Sequence, residues 1–445
     1  MYSFFIAVVS MAVVLGIMIL VHEFGHYAAA KWFGVRVDVF SIGFGKRLAG
    51  FRRGDTDYRI SALPLGGYVK MAGENPLESR SGAPDEFMSH PRWQRFVIAV
   101  AGPAMNILLA VALLTGVFMV HYEHPLYLDE PAVVGWVVDN SPAAKAGIEQ
   151  GDRIIRIDGQ QDPTWEDVFL KIMINTKQPV SVAIQRGHDM IEKQIQPEAE
   201  GSDEYGSVGF LPDQPVIVTG VESNMPAAKA GLQIGDEVIA VNGTPVRSLY
   251  SVIHYLQQNG DQPVVVVASR HGQHVTFNMT PVQTDDNGRK AYRLGFGSVP
   301  VHVDKLPFAK ALSRSLEENK KYSLLMVDLI HKMVERKVSI KQLDGPIGIA
   351  RASGDAARQP GWTPLLGLMA MISLNLGILN LLPIPILDGG IIMLLIVESV
   401  MRRDISLRIK ERIYQTAFVF LVLFFVVVIY NDLMKALPGL AQRLP

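Results

Sequence analysis

The chain of 445 residues contains no cysteine. That excludes a disulfide scaffold, a thiolate zinc finger, an iron–sulfur cluster and a cysteine nucleophile, so any metal must be held by His and carboxylates. Charge is scarce as well. Only 19% of the residues are charged and 49% are apolar, against about 25% charged in an average soluble domain. The deficit points to segments that face something other than water. Neither sign is in surplus: 42 basic and 43 acidic residues leave a net charge of −1. This argues against a nucleic-acid partner, whose electrostatic footprint is a basic patch or a pI above about 9. The length allows two to four domains.

What is present is apolar sequence gathered into blocks. Met1 to Val21 carries no charge, and the apolar character resumes past Glu23 to Phe33. Phe96 to Val120 is a second uncharged run, and a third runs from Gln359 to Leu387, is interrupted by Asp388 and continues to Val397. A fourth spans Ile413 to Asn431. A bilayer core takes about 20 apolar residues as helix, so four transmembrane spans are predicted. The first block lacks a basic leader and a small-residue cleavage site, and it reads as a retained span rather than a signal peptide. The loop from Gly34 to Arg95 holds Arg36, Lys46, Arg47, Arg52, Arg53, Arg59, Lys70, Arg80, Arg92 and Arg95, and the loop before the fourth span holds Arg402, Arg403, Arg408, Lys410 and Arg412. Positive loops stay in the cytoplasm. Both termini and the long segment from His121 to about Gly361 then lie outside.

That outer segment contains a repeat. Asn140-Ser-Pro-Ala-Ala-Lys-Ala-Gly147 recurs as Asn224-Met-Pro-Ala-Ala-Lys-Ala-Gly231. Gly151-Asp152 then matches Gly235-Asp236, and Asp158-Gly159 matches Asn242-Gly243, all at an offset of 84 residues. Strand-like runs flank each copy. The Pro-to-Gly stretch reads as a short helix, and the Asp-Gly and Asn-Gly pairs read as tight hairpin turns. The pattern resembles the PDZ domain in the permuted form of bacterial proteases. That resemblance implies two β-rich domains that take peptide C-termini as an added strand. Val208-Gly209-Phe210 is expected to form the carboxylate-binding loop of the second copy, with the join between the copies inside 196–214. Two β-rich spacers without ligands are the alternative.

The chemistry begins at His22-Glu23-Phe24-Gly25-His26. Positions i and i+4 of a helix share a face, so His22 and His26 can reach one zinc ion, with Glu23 beside them as general base. Ionisable residues at bilayer depth are costly, and they mark function by default. A catalytic zinc needs a third protein ligand and one open position. Asp388 is the only charge between Arg358 and Glu398, in Asn380-Leu-Leu-Pro383-Ile-Pro385-Ile-Leu-Asp388-Gly389-Gly390. Pro383 and Pro385 cannot continue a regular helix, and a break there would aim Asp388 at the metal. Asn380 could donate to the substrate backbone or to the developing oxyanion. Alternatively, Asp388 merely caps the helix that starts at Gly389. The flanking loops put the site within the membrane, nearer its cytoplasmic side.

Taken together, the H-E-F-G-H span, the N-x-x-P-x-P-x-L-D-G motif and the paired outer domains resemble the site-2 protease family of intramembrane zinc metalloproteases, over nearly the whole chain. The fold so implied is a multi-pass α-helical membrane protein with four transmembrane spans, a membrane-re-entrant β-element and two periplasmic β-rich PDZ domains. In that resemblance Gly102-Pro103-Ala104-Met105-Asn106 is a family signature: Gly102 and Pro103 allow close packing on the first span, and Asn106 hydrogen-bonds near the site. Gly43, Gly45 and Gly67 lie in the re-entrant element, whose edge receives substrate together with Asn380, Pro383 and Pro385. One Zn2+ per chain is implied, in a bacterial inner membrane. The implied substrates are single-pass membrane proteins already cut on their outer side, an anti-sigma factor of the sigma-E envelope stress response among them, and remnant signal peptides.

The expected domains are 1–125 (first span, β-loop at about 34–95, second span), 126–206 and 207–300 (the two PDZ copies), 301–362, and 363–445 (third span, basic loop, fourth span). Within 301–362, the stretch from Leu306 to Arg336 alternates apolar and basic residues at helical spacing. It reads either as an amphipathic helix on the outer membrane surface or as a linker helix under the PDZ domains. The competing function is a membrane-anchored PDZ adaptor with a silent site.

Overall fold

The computed structural model describes residues 2–74, 82–128, 130–201, 204–286, 289–298, 301–335, 337–338 and 340–436. Arg80, Arg336 and the expected boundary at 300 fall outside them. Two compact units emerge: Met1–His121 with Lys305–Ile330 and Leu343–Pro445, and Tyr122–Asp304 with His331–Gln342.

In the first unit, four helices among the described residues are long and apolar enough to cross a membrane. Helix α1 (Tyr2–Trp32) is apolar on all sides and free of proline. It ends where Gly34 adopts φ 79° and the Gly34 and Val35 N–H groups fold back on the Lys31 and Ala30 carbonyls. This is a glycine C-cap that satisfies the last carbonyls. Strands β1 (Val37–Arg53) and β2 (Thr56–Met71) follow, then α2 (Arg92–Val120), which contains Pro103. Next come α3 (Phe308–Val334), α4 (Pro346–Arg358), α5 (Thr363–Asn380), α6 (Asp388–Met401) and α7 (Leu407–Ala436). The third apolar block is thus two helices, α5 and α6, interrupted over 381–387 by the two prolines. Along α7 the exposed side chains include Phe418, Val419, Phe420, Leu423, Phe425 and Val426, the reverse of a helix facing water.

The β1–β2 pairing is folded on itself. Phe40 pairs with both Val69 and Tyr58, and Tyr58 also pairs with Phe51. The two long strands therefore make four segments, in the order 47–53, 56–61, 37–42 and 67–71. Segment 67–71 forms one edge.

Two buried carboxylates of this unit are paired. Glu398 of α6 is 1% exposed and meets Lys410 Nζ at 2.7 Å. Asp432, near the end of α7, accepts from the Gly345, Ile347 and Gly348 N–H groups at 2.9, 2.9 and 3.2 Å. It satisfies the open N-terminus of α4, where a carboxylate also opposes the helix dipole favourably. Helix α3 buries Ala311, Ser315 and Asn319, and Ser315 Oγ donates to the Val111 carbonyl of α2 at 2.9 Å. Leu316, Leu324 and Val327 on the same helix are exposed.

The second unit contains the repeat as two copies of one β-rich fold. The first has a four-stranded sheet in the order Gln160–Gln161, Arg153–Ile157, Val180–Arg186, Asp189–Ile195. The second matches it with Thr244–Pro245, Glu237–Val241, Val264–Arg270 and Gln273–Met279, and Val216–Ile217 also pairs with Glu237–Val241. The hairpin turns form as expected: Asp158-Gly159 and Asn242-Gly243 all have positive φ, as type I′ turns require. The Gly-Asp pair has a physical reason. Asp236 accepts the Gln233 N–H at 2.8 Å and two Arg270 bonds at 2.7 Å, while Arg270 also donates to the Gly231 carbonyl. Asp152, Glu149, Arg186 and Gly147 repeat the arrangement in the first copy. One aspartate thereby ties the short helix to the third strand.

One expectation is corrected here. Val208 and Phe210 are buried in the core of the first copy with Ile154, Trp165 and Ile184. Phe210–Pro212 pairs with Val134–Val137, and the Val208 carbonyl accepts the Ala143 N–H. The loop closes the first copy from its C-terminal side, so the first domain runs past 206. In the second copy Leu294-Gly295-Phe296 fills that place: the Ala227 N–H bonds the Leu294 carbonyl, and the Glu222 N–H bonds that of Gly295.

Candidate metal centre

Helix α1 carries His22 and His26 one turn apart, both less than one tenth exposed. Asp388 is the first residue of α6, directly after the proline-broken loop. Its carboxylate meets both rings. His22 Nε2 lies 3.1 Å from Asp388 Oδ2, His26 Nε2 lies 3.4 Å from Asp388 Oδ1, and the two Nε2 atoms are 3.2 Å apart. Among the described residues this is the group of His and carboxylates that can hold a metal ion. Zinc with ligands at roughly 2.0–2.1 Å in a tetrahedron requires ligand atoms about 3.3 Å from each other. The two Nε2 atoms, and each ring with its nearer Asp388 oxygen, are separated by close to that distance. Two imidazoles and a carboxylate also match the donor set of a catalytic site, with one corner left over. The residues present therefore fit a zinc ion. The Asp388 side chain faces the imidazoles and makes no hydrogen bond to the α6 backbone among the described residues, and its place in the first turn lets the helix dipole favour its negative charge.

Helix α2 shapes the other side of the site. His26 Nδ1 lies 2.8 Å from the Ile98 carbonyl. A carbonyl can only accept, so Nδ1 holds a ring proton, and Nε2, on the Asp388 side, is the nitrogen left to ligate a metal. The approach is close because two glycines face it. A Cβ on Gly102 would lie 2.2 Å from His26 Nε2, and one on Gly25 would lie 2.3 Å from the Ala101 carbonyl. Helix α5 adds a third contact, Gly377 against Pro103 and Asn106. On the far side of the loop, Gly389 and Gly390 would meet the carbonyls of Leu382 and Ile384 at 2.2 and 2.3 Å. Both must be glycine for the loop to turn into α6 beneath Asp388.

Glu23, half-buried beside His22, is held by the sheet. The Val69 N–H, on edge segment 67–71, donates to Glu23 Oε2 at 3.0 Å. Gly67 lies alongside: a Cβ there would fall 2.7 Å from the Ser41 carbonyl and 3.7 Å from Glu23 Cγ.

The structure thus brings together His22, Glu23, His26, Asp388, Gly67, Gly102 and Asn106, whose amide is 3.3 Å from His22 Nδ1. Pro103 is buried in α2 beside them. Pro383 and Pro385 form the loop that delivers Asp388. Asn380 ends α5, half-buried, and makes no hydrogen bond to the triad among the described residues. Gly43 and Gly45, with φ of 90° and 88°, are bends in β1. Val208, Gly209 and Phe210 lie in the second unit. Sequence reasoning missed Gly25, the Ile98 carbonyl and the Val69 N–H. Gly25, an unneeded glycine in a helix, carried a signal; the two backbone groups carried none.

Comparison with known proteins adds an independent line. The profile of peptidase family M50 matches residues 10–424. The regulator of sigma-E protease RseP of Escherichia coli K12 is 32% identical over 97% of this chain and 99% of its own length. A regulator of sigma E protease of Haemophilus influenzae is likewise 32% identical, over 97% of this chain and all of its own. A Vibrio cholerae protein provisionally named a zinc metalloprotease is 32% identical over 95% of this chain and 97% of its own.

Proposed function

This chain belongs to peptidase family M50, and from that premise we propose that His22, His26 and Asp388 hold one zinc ion and that Glu23 is the general base for peptide hydrolysis inside the membrane. The observation that carries the reading is the convergence of the three donors at tetrahedral spacing, on helices of a unit that holds four membrane-capable spans.

A transmembrane helix hides its peptide groups in internal hydrogen bonds, so a substrate must be unwound before it can be cut. Edge segment 67–71 has no strand on its outer side among the described residues, and an extended segment can add to such an edge beside Glu23. Loop residues Asn380, Pro383 and Pro385 would line the other side. Zinc in such a donor set supplies Lewis acidity, which polarises a carbonyl and lowers the pKa of water. Glu23 takes a proton from the attacking water and passes it to the leaving amine. The Val69 N–H holds the carboxylate in place through that exchange.

The substrate class follows from the resemblance: single-pass membrane proteins shortened beforehand on the outer side, such as an anti-sigma factor, and remnant signal peptides. The basic loops support an orientation with the re-entrant sheet and the α6–α7 loop cytoplasmic and the repeat outside, in a bacterial inner membrane. The two copies would act there as PDZ domains for peptide C-termini, with clefts at Val208-Gly209-Phe210 and Leu294-Gly295-Phe296. Exposed Leu316, Leu324 and Val327 suit α3 to the lipid surface.

The test is Glu23→Gln in the full chain with a co-expressed single-pass substrate. Cleavage should fall by at least about 10²-fold while zinc content stays at the wild-type level. Undiminished cleavage would overturn the mechanism. Substrate capture without product in the wild type would favour the silent adaptor.

A further inference from the structure

Asn106 is fully buried on α2, one turn beyond Gly102. Its amide nitrogen lies 3.3 Å from His22 Nδ1, and its carbonyl oxygen Oδ1 is buried without a hydrogen-bond partner among the described residues. The two ends of an asparagine amide have nearly the same shape, and their assignment follows from bonding chemistry. Here His22 decides it. Its Nε2 faces His26 and Asp388, so that is the nitrogen that must be bare to ligate a metal. The ring proton then sits on Nδ1 and needs an acceptor. The Asn106 amide nitrogen is a donor and cannot serve, whereas Oδ1 can, and it has no bond to lose when the amide turns over.

We propose that Asn106 is a positioning residue of the metal centre, its side-chain oxygen accepting the His22 Nδ1 proton and so fixing the tautomer and orientation of that ring. The inference rests on the zinc reading above. It makes α2 the element that orients both imidazoles: Ile98 holds His26 through a backbone carbonyl, and Asn106 holds His22 through its amide. Asn106 is itself anchored. Its backbone carbonyl accepts from Ser373 Oγ at 2.8 Å, and a Cβ on Gly377 would lie 3.4 Å from its own Cβ.

The experiment uses the full chain in detergent, with zinc affinity read by chelator competition and the His22 tautomer read from side-chain ¹⁵N shifts. Asn106→Leu fills the same space without an acceptor, whereas Asn106→Asp keeps an oxygen there. Expected is a loss of about 10–100-fold in zinc affinity for Asn106→Leu, with mixed tautomers at His22. Asn106→Asp should return both readouts to near wild type. A packing role predicts the opposite order, with Leu tolerated and Asp not. Wild-type affinity in Asn106→Leu, or equal loss in both variants, overturns the inference while leaving the zinc site standing. A wild-type protein that takes up no zinc overturns both.

Discussion

Gly102→Ala adds one methyl group to α2 and should cripple the metal centre. The new carbon would lie 2.2, 2.6 and 2.8 Å from Nε2, Cε1 and Cδ2 of His26. Ordinary contact needs about 3.5 Å, so something must move by more than an ångström. Neither partner is free to do so. The ring is held from behind by the Ile98 carbonyl at 2.8 Å. The α1 and α2 backbones are locked together at Gly25, where even a Cβ would meet the Ala101 carbonyl. Overpacking of this kind costs about 1–3 kcal/mol, which corresponds to about 5- to 150-fold in zinc affinity. A misplacement of about 1 Å can cost a further 10²-fold in catalysis. The assay is zinc retention of detergent-purified protein against a graded chelator, with cleavage of a single-pass substrate alongside. Gly116→Ala is the control: it lies on the same helix, with open space around the added methyl. There the better helix propensity of alanine should leave zinc affinity unchanged and stability equal or higher. Wild-type zinc affinity and cleavage in Gly102→Ala would refute the packing argument.

Two further predictions concern stability. Asp236→Ala removes the acceptor for two Arg270 bonds and the Gln233 N–H and should destabilise the second repeat copy by about 1.5–3 kcal/mol, seen as faster hydrogen exchange and proteolysis there. The Asp236 carboxyl is held below the ordinary carboxylate range, first by the Arg270 hydrogen bonds. Its contribution is therefore complete above the unfolded value of about 4 and is lost as pH falls through the folded value; Asp236→Asn should lack that acid step. Lys410→Met strands Glu398 in the α6–α7 contact and should cost about 3–5 kcal/mol, whereas joint replacement by Glu398→Leu and Lys410→Met should be near neutral, both read as Tm in detergent.

The sequence by itself determined what depends on short range and on composition. Four apolar runs of bilayer length specify four membrane-capable helices. The i, i+4 spacing puts His22 and His26 on one face, and the solitary charge of Asp388 beyond two helix-breaking prolines marks the proposed third donor. The repeated Gly-Asp and Asn-Gly pairs specify two copies with the same turns. What only the tertiary structure decided depends on partners distant in the chain. Val208-Gly209-Phe210 stands next to the second copy in sequence yet completes the first, because the strand that pairs with Val134–Val137 comes after the four-stranded sheet in the chain. β1 and β2 are neighbours in sequence, but Tyr58 pairs with both Phe40 and Phe51, and the resulting edge brings the Val69 N–H to Glu23. The Ile98 carbonyl and the Asn106 amide reach His26 and His22 across 72 and 84 residues, and only because Gly25 and Gly102 let two helices approach closer than side chains otherwise permit. A metal centre's donors can be legible in a local motif, but the groups that hold them in register are set by packing, and packing is non-local.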